Sequence, residues 1–228
     1  MKKLLIALSL ASALGSLSSA HAATISFADA TGLQTTNWSD SLQFGKFDTN
    51  LGTLTSIKFD LSGAVQGIGN AESMDAAPSN VTLTLGSVLS LKRPDNSTLV
   101  VINPMFSQVF GFSQFDGVIN FGGTSGGSTG TVSSTNSSFF VSTSASDFSL
   151  FSALGGGSIN LGLSALGSSS GNGSGNLITQ FNTSAAGNAL VTYTYTAAAA
   201  VPEPATLGMF AGGLGLIALA RRRVRKAA

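Results

Sequence analysis

Thr53-Leu54-Thr55-Ser56-Ile57-Lys58-Phe59-Asp60-Leu61 alternates with a period of two. Thr53, Thr55, Ile57, Phe59 and Leu61 fall on one face, and Leu54, Ser56, Lys58 and Asp60 on the other. Successive strand side chains point to opposite faces, so this pattern predicts a half-buried β-strand rather than a helix. The same signal recurs at Val81-Thr82-Leu83-Thr84-Leu85, with Leu89 and Leu91 in phase beyond Gly86. It returns at Ile159-Asn160-Leu161-Gly162-Leu163 and at Val191-Thr192-Tyr193-Thr194-Tyr195.

Weaker strands are predicted at residues 98–102, 106–112, 117–121 and 139–143, with an edge strand at 24–27 and loose alternation over 38–47. Phe139 and Phe140, being adjacent, must face opposite ways. Gly- and Ser-rich breaks at 122–130, 155–157 and 167–175 read as turns, as does Gly67-Ile68-Gly69. Before residue 205 only 147–154 could form a helical turn. The predicted class is all-β: an antiparallel β-sandwich of about nine or ten strands. A β-solenoid is the alternative, but no fixed-period repeat supports it.

Both ends of the chain depart from this pattern. Lys2 and Lys3 precede an apolar run from Leu4 to Leu17, and Ala20-His21-Ala22 supplies a small-x-small cleavage pattern. Residues 1–22 therefore read as a signal-peptide helix, cut by signal peptidase between Ala22 and Ala23. The domain follows at 23–196, then an Ala-rich spacer at 197–201. Val201-Pro202-Glu203-Pro204 precedes sixteen uncharged residues, 205–220, and a basic tail, 221–228, carrying Arg221, Arg222, Arg223, Arg225 and Lys226. At about 1.5 Å per residue the apolar run covers roughly 24 Å, a single transmembrane helix somewhat short of a bilayer core of about 30 Å. The basic cluster reaches to headgroups and places this end in the cytoplasm. The domain is then periplasmic, at the cell surface or extracellular.

Charge elsewhere is sparse. Between residues 23 and 204 lie four basic residues (Lys46, Lys58, Lys92, Arg93) against ten acidic ones, a net of −6. No basic patch remains to neutralise phosphates, so nucleic acid is excluded as a partner. The chain has no cysteine, and its one histidine, His21, lies in the signal segment. Triads, Cys-His pairs, histidine zinc sites and thiolate sites are therefore absent from the domain. Dinucleotide and phosphate-loop motifs are absent too.

Carboxylate chemistry is what remains. A glycosidase needs two acids about 5–10 Å apart, and Glu72 with Asp75 is the nearest acidic pair in sequence, with Asp48, Asp60 and Asp116 beside other strands. Glu72 and Asp75, with Asn70 and Asn80, are also the candidate calcium ligands, at a spacing that matches no EF-hand. The expectation is that these acids keep a surface soluble, with no catalytic residue, no metal and no cofactor. Trp38, Tyr193 and Tyr195 are the candidate glycan contacts, because exposed aromatics can stack on sugar rings. Asn37, Asn96 and Asn136 each open an Asn-x-Ser/Thr triplet, a frequent coincidence in so Ser/Thr-rich a chain.

Pro202-Glu203-Pro204, an apolar helix and an arginine cluster at the C-terminus resemble the PEP-CTERM sorting signal. The resemblance implies recognition by an exosortase at the inner membrane, cleavage near the motif and loss of the helix. A second resemblance, to the choice-of-anchor E domain, rests on Phe47-Asp48, Leu51-Gly52-Thr53-Leu54-Thr55-Ser56, Phe121-Gly122-Gly123-Thr124-Ser125, Gly173-Ser174-Gly175-Asn176-Leu177 and residues 191–195. It implies an exported, anchored surface domain. The expected function is that of a non-enzymatic exported protein associated with exopolysaccharide or cell envelope. The alternatives are a carbohydrate-binding or adhesive module and, further off, a glycan-acting enzyme using two carboxylates.

Overall fold

The computed structural model describes residues 22–173 and 175–198, together with Gly213. The chain runs through β1 (Ala22–Thr35), β2 (Trp38–Gly45), β3 (Phe47–Asp48), β4 (Gly52–Ser73), β5 (Ser79–Lys92), β6 (Thr98–Ile102) and β7 (Met105–Phe112). It continues with β8 (Gly126–Ser128), β9 (Val132–Ser142), α1 (Ala145–Phe151), β10 (Ser152–Ala153), β11 (Ser158–Gly167), β12 (Ser170–Asn172) and β13 (Leu177–Ala197). The signal-peptide helix, the sorting motif, the transmembrane helix and the basic tail fall outside the described residues. Among the described residues no helix is long and apolar enough to cross a membrane.

Two antiparallel sheets account for nearly all of this. The first is ordered β1-β13-β4, with β9 along one half of β4's far side and β8 along the other. The second is built around β5. One half of β5 lies between β11 and β6, with β2 outside β11; the other half lies between β12 and β7. The short β3–β10 pair is parallel. Side chains from both sheets meet in one buried cluster: Ile57, Phe59, Leu61, Val191 and Tyr193 from the first, Phe44, Leu89, Leu91, Leu161 and Leu163 from the second. This layering fits the expected sandwich. A smaller cluster, Ala71, Val81, Leu83 and Phe112, fills the other end.

β4 and β13 pair along almost their whole lengths, 22 and 21 residues. The expected turn at Gly67–Gly69 is therefore corrected: this segment continues β4. A glycine there serves close approach, because a Cβ at Gly67 would overlap the Asn182 carbonyl oxygen of β13. Gly63 and Gly187 face each other across the same pair, and a Cβ on either would meet Leu89 or Leu163 at 2.9 or 2.8 Å. The two glycines make a hollow that receives leucines from the second sheet.

The phase over residues 53–61 also needs correction. Ile57, Phe59 and Leu61 are buried as expected, but Leu54 is buried too, while Thr53 and Thr55 are exposed. Ser56 pairs with Thr194 and Leu54 with the next residue, Tyr195, so Thr55 is the extra residue of a β-bulge. The bulge shifts the phase by one and turns Leu54 inward.

The strand expected at 117–121 does not form. The Asn120 and Phe121 N–H groups point at the Glu72 carboxylate instead of a neighbouring strand, and Phe121 has φ 56. The breaks at 122–130 and 167–175 contain short strands, β8 and β12. The helix lies at 145–151 rather than 147–154: the Ser144 side chain accepts from the Asp147 N–H and so caps its first turn. Asn37 and Asn96 occupy left-handed turn positions, at φ 72 and 66.

Candidate functional site

The first and last strands of the described domain, β1 and β13, begin and end at the same end of the first sheet. Ala22 pairs with Thr196, Ala23 with Tyr195, and Gly52 with Ala197. Strand pairing thus extends through Ala22 and Ala197, one residue beyond the expected domain limits at each end. Ala20 is outside the described residues, as are Pro202, Glu203, Pro204 and the arginines. From Ala197 to Pro202 is five residues, a reach of at most about 18 Å when extended.

The three candidate aromatic contacts are not gathered into a site. Tyr193 is fully buried, its hydroxyl donating to the Gly45 carbonyl at 2.9 Å, with Phe27 and Phe47 around its ring. Burial pushes the hydroxyl's pKa up from its usual value. It is a core residue and cannot stack on a sugar, which corrects that part of the expectation. Tyr195 is half-buried, 5.0 Å from Phe47 between ring centroids. Trp38 packs its ring against the main core, with its indole nitrogen buried and unpaired.

Every candidate acid but Asp60 accepts from loop backbone. Glu72 is fully buried on β4; its carboxylate accepts from the Ser125 hydroxyl at 2.6 Å and from the Phe121 N–H at 2.7 Å. Asp75, in the β4–β5 connection, accepts from the Gly175 and Asn176 N–H groups at 2.9 and 3.0 Å. Donors converging on both carboxylates oppose a cation, because N–H dipoles present their positive ends where calcium would sit. Asn70 and Asn80 lie on β4 and β5 rather than in one loop. Among the described residues no group of three His, Asp or Glu side chains could hold a metal. Asp48 accepts from the Asn50 and Gly155 N–H groups, Asp60 pairs with Lys58 at 2.5 Å, and Asp116 accepts from the Val118 N–H.

Among the described residues no element packs over the outer face of the first sheet. Ser62, Ala64, Thr135, Ser137, Ala186 and Asn188 line an open trough of about 690 Å³ there. Its residues are small and neutral, offering hydroxyls and amides. A second trough beside it adds Lys58, Asp60 and Phe139. This face was missed in the sequence, because its residues come from β1, β4, β9 and β13, and only their pairing brings them together.

Residues 200–226 match a family model described as the PEP-CTERM protein-sorting motif. No curated protein matches this chain. Among solved structures, the infectious bursal disease virus Gx strain is similar at 14% identity over 78% of this chain and 37% of that chain, with a TM-score of 0.19. The VP2 subviral particle of the same virus is 12% identical over 78% of this chain and 37% of that one, with a TM-score of 0.21. This chain thus spans little more than a third of either, and likenesses this slight carry no argument. The sorting motif supports an exported protein targeted to an exosortase, with a membrane-anchored precursor.

Proposed function

We propose that this chain is a non-enzymatic exosortase substrate whose β domain is cargo, associated after processing with exopolysaccharide or the cell envelope. Signal peptidase cuts between Ala22 and Ala23. The C-terminal helix, 205–220, then halts export with the arginines in the cytoplasm, and the exosortase acts near Pro202-Glu203-Pro204. The match of the sorting motif to residues 200–226 carries this reading. Its parts lie in a physically sensible order: a tripeptide whose prolines restrict φ, an apolar run somewhat short of a bilayer core and a cationic stop that reaches the headgroups. The domain between reads as an exported surface module of the choice-of-anchor E kind, which accords with its mostly antiparallel β structure.

Mass spectrometry of the protein from its native host tests this. The wild type is expected to begin at Ala23 and end near Pro204. A chain with Pro202, Glu203 and Pro204 all changed to Ala is expected to retain 205–228. Wild-type product that keeps 205–228 overturns the proposal.

Carbohydrate binding is the second reading, and the trough over Ser62, Ser137 and Asn188 favours it, since hydroxyls and amides on a flat neutral face suit an uncharged glycan. The full-length chain should then be retained on immobilised polysaccharide, and Asn188→Arg should reduce retention by about tenfold, an effect of one lost polar contact plus a steric block. Equal retention of the two chains would remove this reading.

A further inference from the structure

The two long sides of the domain are finished differently. On one side, β1 and β2 are the edges of the two sheets, and they are tied together. The Asp29 carboxylate accepts from the Gln43 N–H at 2.8 Å, and the Thr31 hydroxyl donates to Asp40 at 2.7 Å. Phe27 of β1 lies against Gly45 of β2. β1 also carries an irregularity between Thr31 and Gln34. Charged side chains, bulges and mutual cover are the devices that keep a sheet edge from pairing with another chain.

On the other side the cover over β9 is only partial: Asn136 donates to the Asn103 carbonyl, and Lys58 and Arg93 lie over the Phe139 and Phe140 rings, but β9 has no bulge against β4. It pairs with β4 alone among the described strands, and residues 132–142 contain no charge and no proline. Phe139, Phe140 and Val141 are 61%, 39% and 44% exposed. They are exposed on both faces of one strand: Phe139 and Val141 share the outer face with their partners Asp60 and Lys58, and Phe140 shares the inner face with Phe59. Val101, Met105 and Val109, on the neighbouring edge strands β6 and β7, are also exposed. An uncharged strand with unpaired backbone groups and apolar residues on both faces is a template for another strand.

We infer that β9 pairs antiparallel with β9 of a second copy of this chain, around a two-fold axis at Phe140. The pairing is self-complementary. Phe140 faces its own copy, and Phe139 faces Val141 of the second copy on the same outer face. Antiparallel pairing keeps facing residues on one side of the sheet, so both apolar contacts form together. β9 itself carries no charge, so no like charges face each other within the strand pair. The contact is isologous and closes as a dimer, whereas joining β9 to β1 would propagate without end and meets the Asp29–Gln43 seal. This inference is independent of the sorting motif and of the trough.

The natural chain has no cysteine, so introduced thiols report cleanly. Facing residues in an antiparallel pair lie about 4.5–5.5 Å apart between Cα atoms, within reach of a disulfide. Full-length Phe140→Cys in detergent micelles, under mild oxidant, is expected to form a covalent dimer. Ser26→Cys, on the sealed side, is expected to form none. Adding Val141→Lys to Phe140→Cys should lower the dimer yield by about tenfold, because Lys58 already lies over the Phe139 ring and a second cation facing that ring in a dry contact meets like charge. Sedimentation of the cysteine-free chain in the same detergent should show a dimer that Val141→Lys dissociates. Val141 is exposed, so this change leaves the core intact, and any association through the apolar tail is common to both chains. Equal cross-linking from Ser26→Cys and Phe140→Cys, a yield unmoved by Val141→Lys, or no dimer from Phe140→Cys whose thiol still reacts with maleimide, each overturns the inference.

Discussion

Arg93→Ala is expected to destabilise the domain by about 3 kcal/mol, at the lower end of the cost of breaking a buried ion pair. The guanidinium meets Asp147 in two parallel bonds, Nε to Oδ1 at 2.8 Å and Nη2 to Oδ2 at 2.9 Å. The Asp147 side chain is only 6% exposed, so losing Arg93 leaves a carboxylate with little water to replace it. The pair also joins the end of β5 to the first turn of α1, so chemical unfolding of the full-length chain should show a lower midpoint. Acid adds a second signature. The Arg93 hydrogen bonds hold the Asp147 carboxyl below its usual range, with further help from Ser142 and Ser144. A lowered folded pKa contributes stability that is present above the unfolded value of about 3.9 and lost as pH falls through the folded value. The wild type should therefore lose stability below about pH 4, and Arg93→Ala should lose much less over that window. An unchanged midpoint, or the same acid slope in both chains, contradicts this account.

Phe59→Ala should cost more, about 3–5 kcal/mol, a large share of the stability of an ordinary domain. Phe59 is fully buried in the middle of β4. Its ring centroid lies 4.9 Å from Phe151 of α1 in an edge-on contact, and 6.3 Å from Phe140 of β9 in a stacked one. One ring thus holds the helix and the edge strand against the first sheet, and its removal opens a cavity that three separate elements border. Leu154→Ala, at a residue 81% exposed, is the control and should fall within about 0.5 kcal/mol of wild type. Urea titration of both variants, followed by Trp38 fluorescence, measures the difference. A Phe59→Ala chain as stable as Leu154→Ala would mean that this cluster does not hold the sheets together.

Much of the architecture was legible as local pattern. The alternation at 81–85, 159–163 and 191–195 falls within β5, β11 and β13, and the prediction at 98–102 coincides with β6. Two kinds of feature escaped. Strand length escaped where glycine occurs, because Gly67 and Gly69 look like turn formers until the side chains and carbonyls that press on them are known. Polar side chains escaped as well. The alternation pattern places Asp147 only in a helical turn, although Ser144 three residues before it is the sequence mark of a cap. The sequence offers Glu72 as a surface acid, as half of a carboxylate pair with Asp75 or as a calcium ligand, and nothing near it in sequence shows the Ser125 hydroxyl and Phe121 N–H that bond it in the interior.

Charge and hydropathy are written locally, so the chain alone declared its sorting motif, its all-β class and the facing of most strands. These signals depend on neighbours one, two or a few residues away. The inward turn of Leu54, the closing of β1 onto β2, the burial of Glu72 and Tyr193, and the bare edge at β9 were decided by which distant strands came together. Pairing partners such as Gly63 and Gly187, or Asp60 and Phe139, are far apart in the chain, and only the folded sheets set their register.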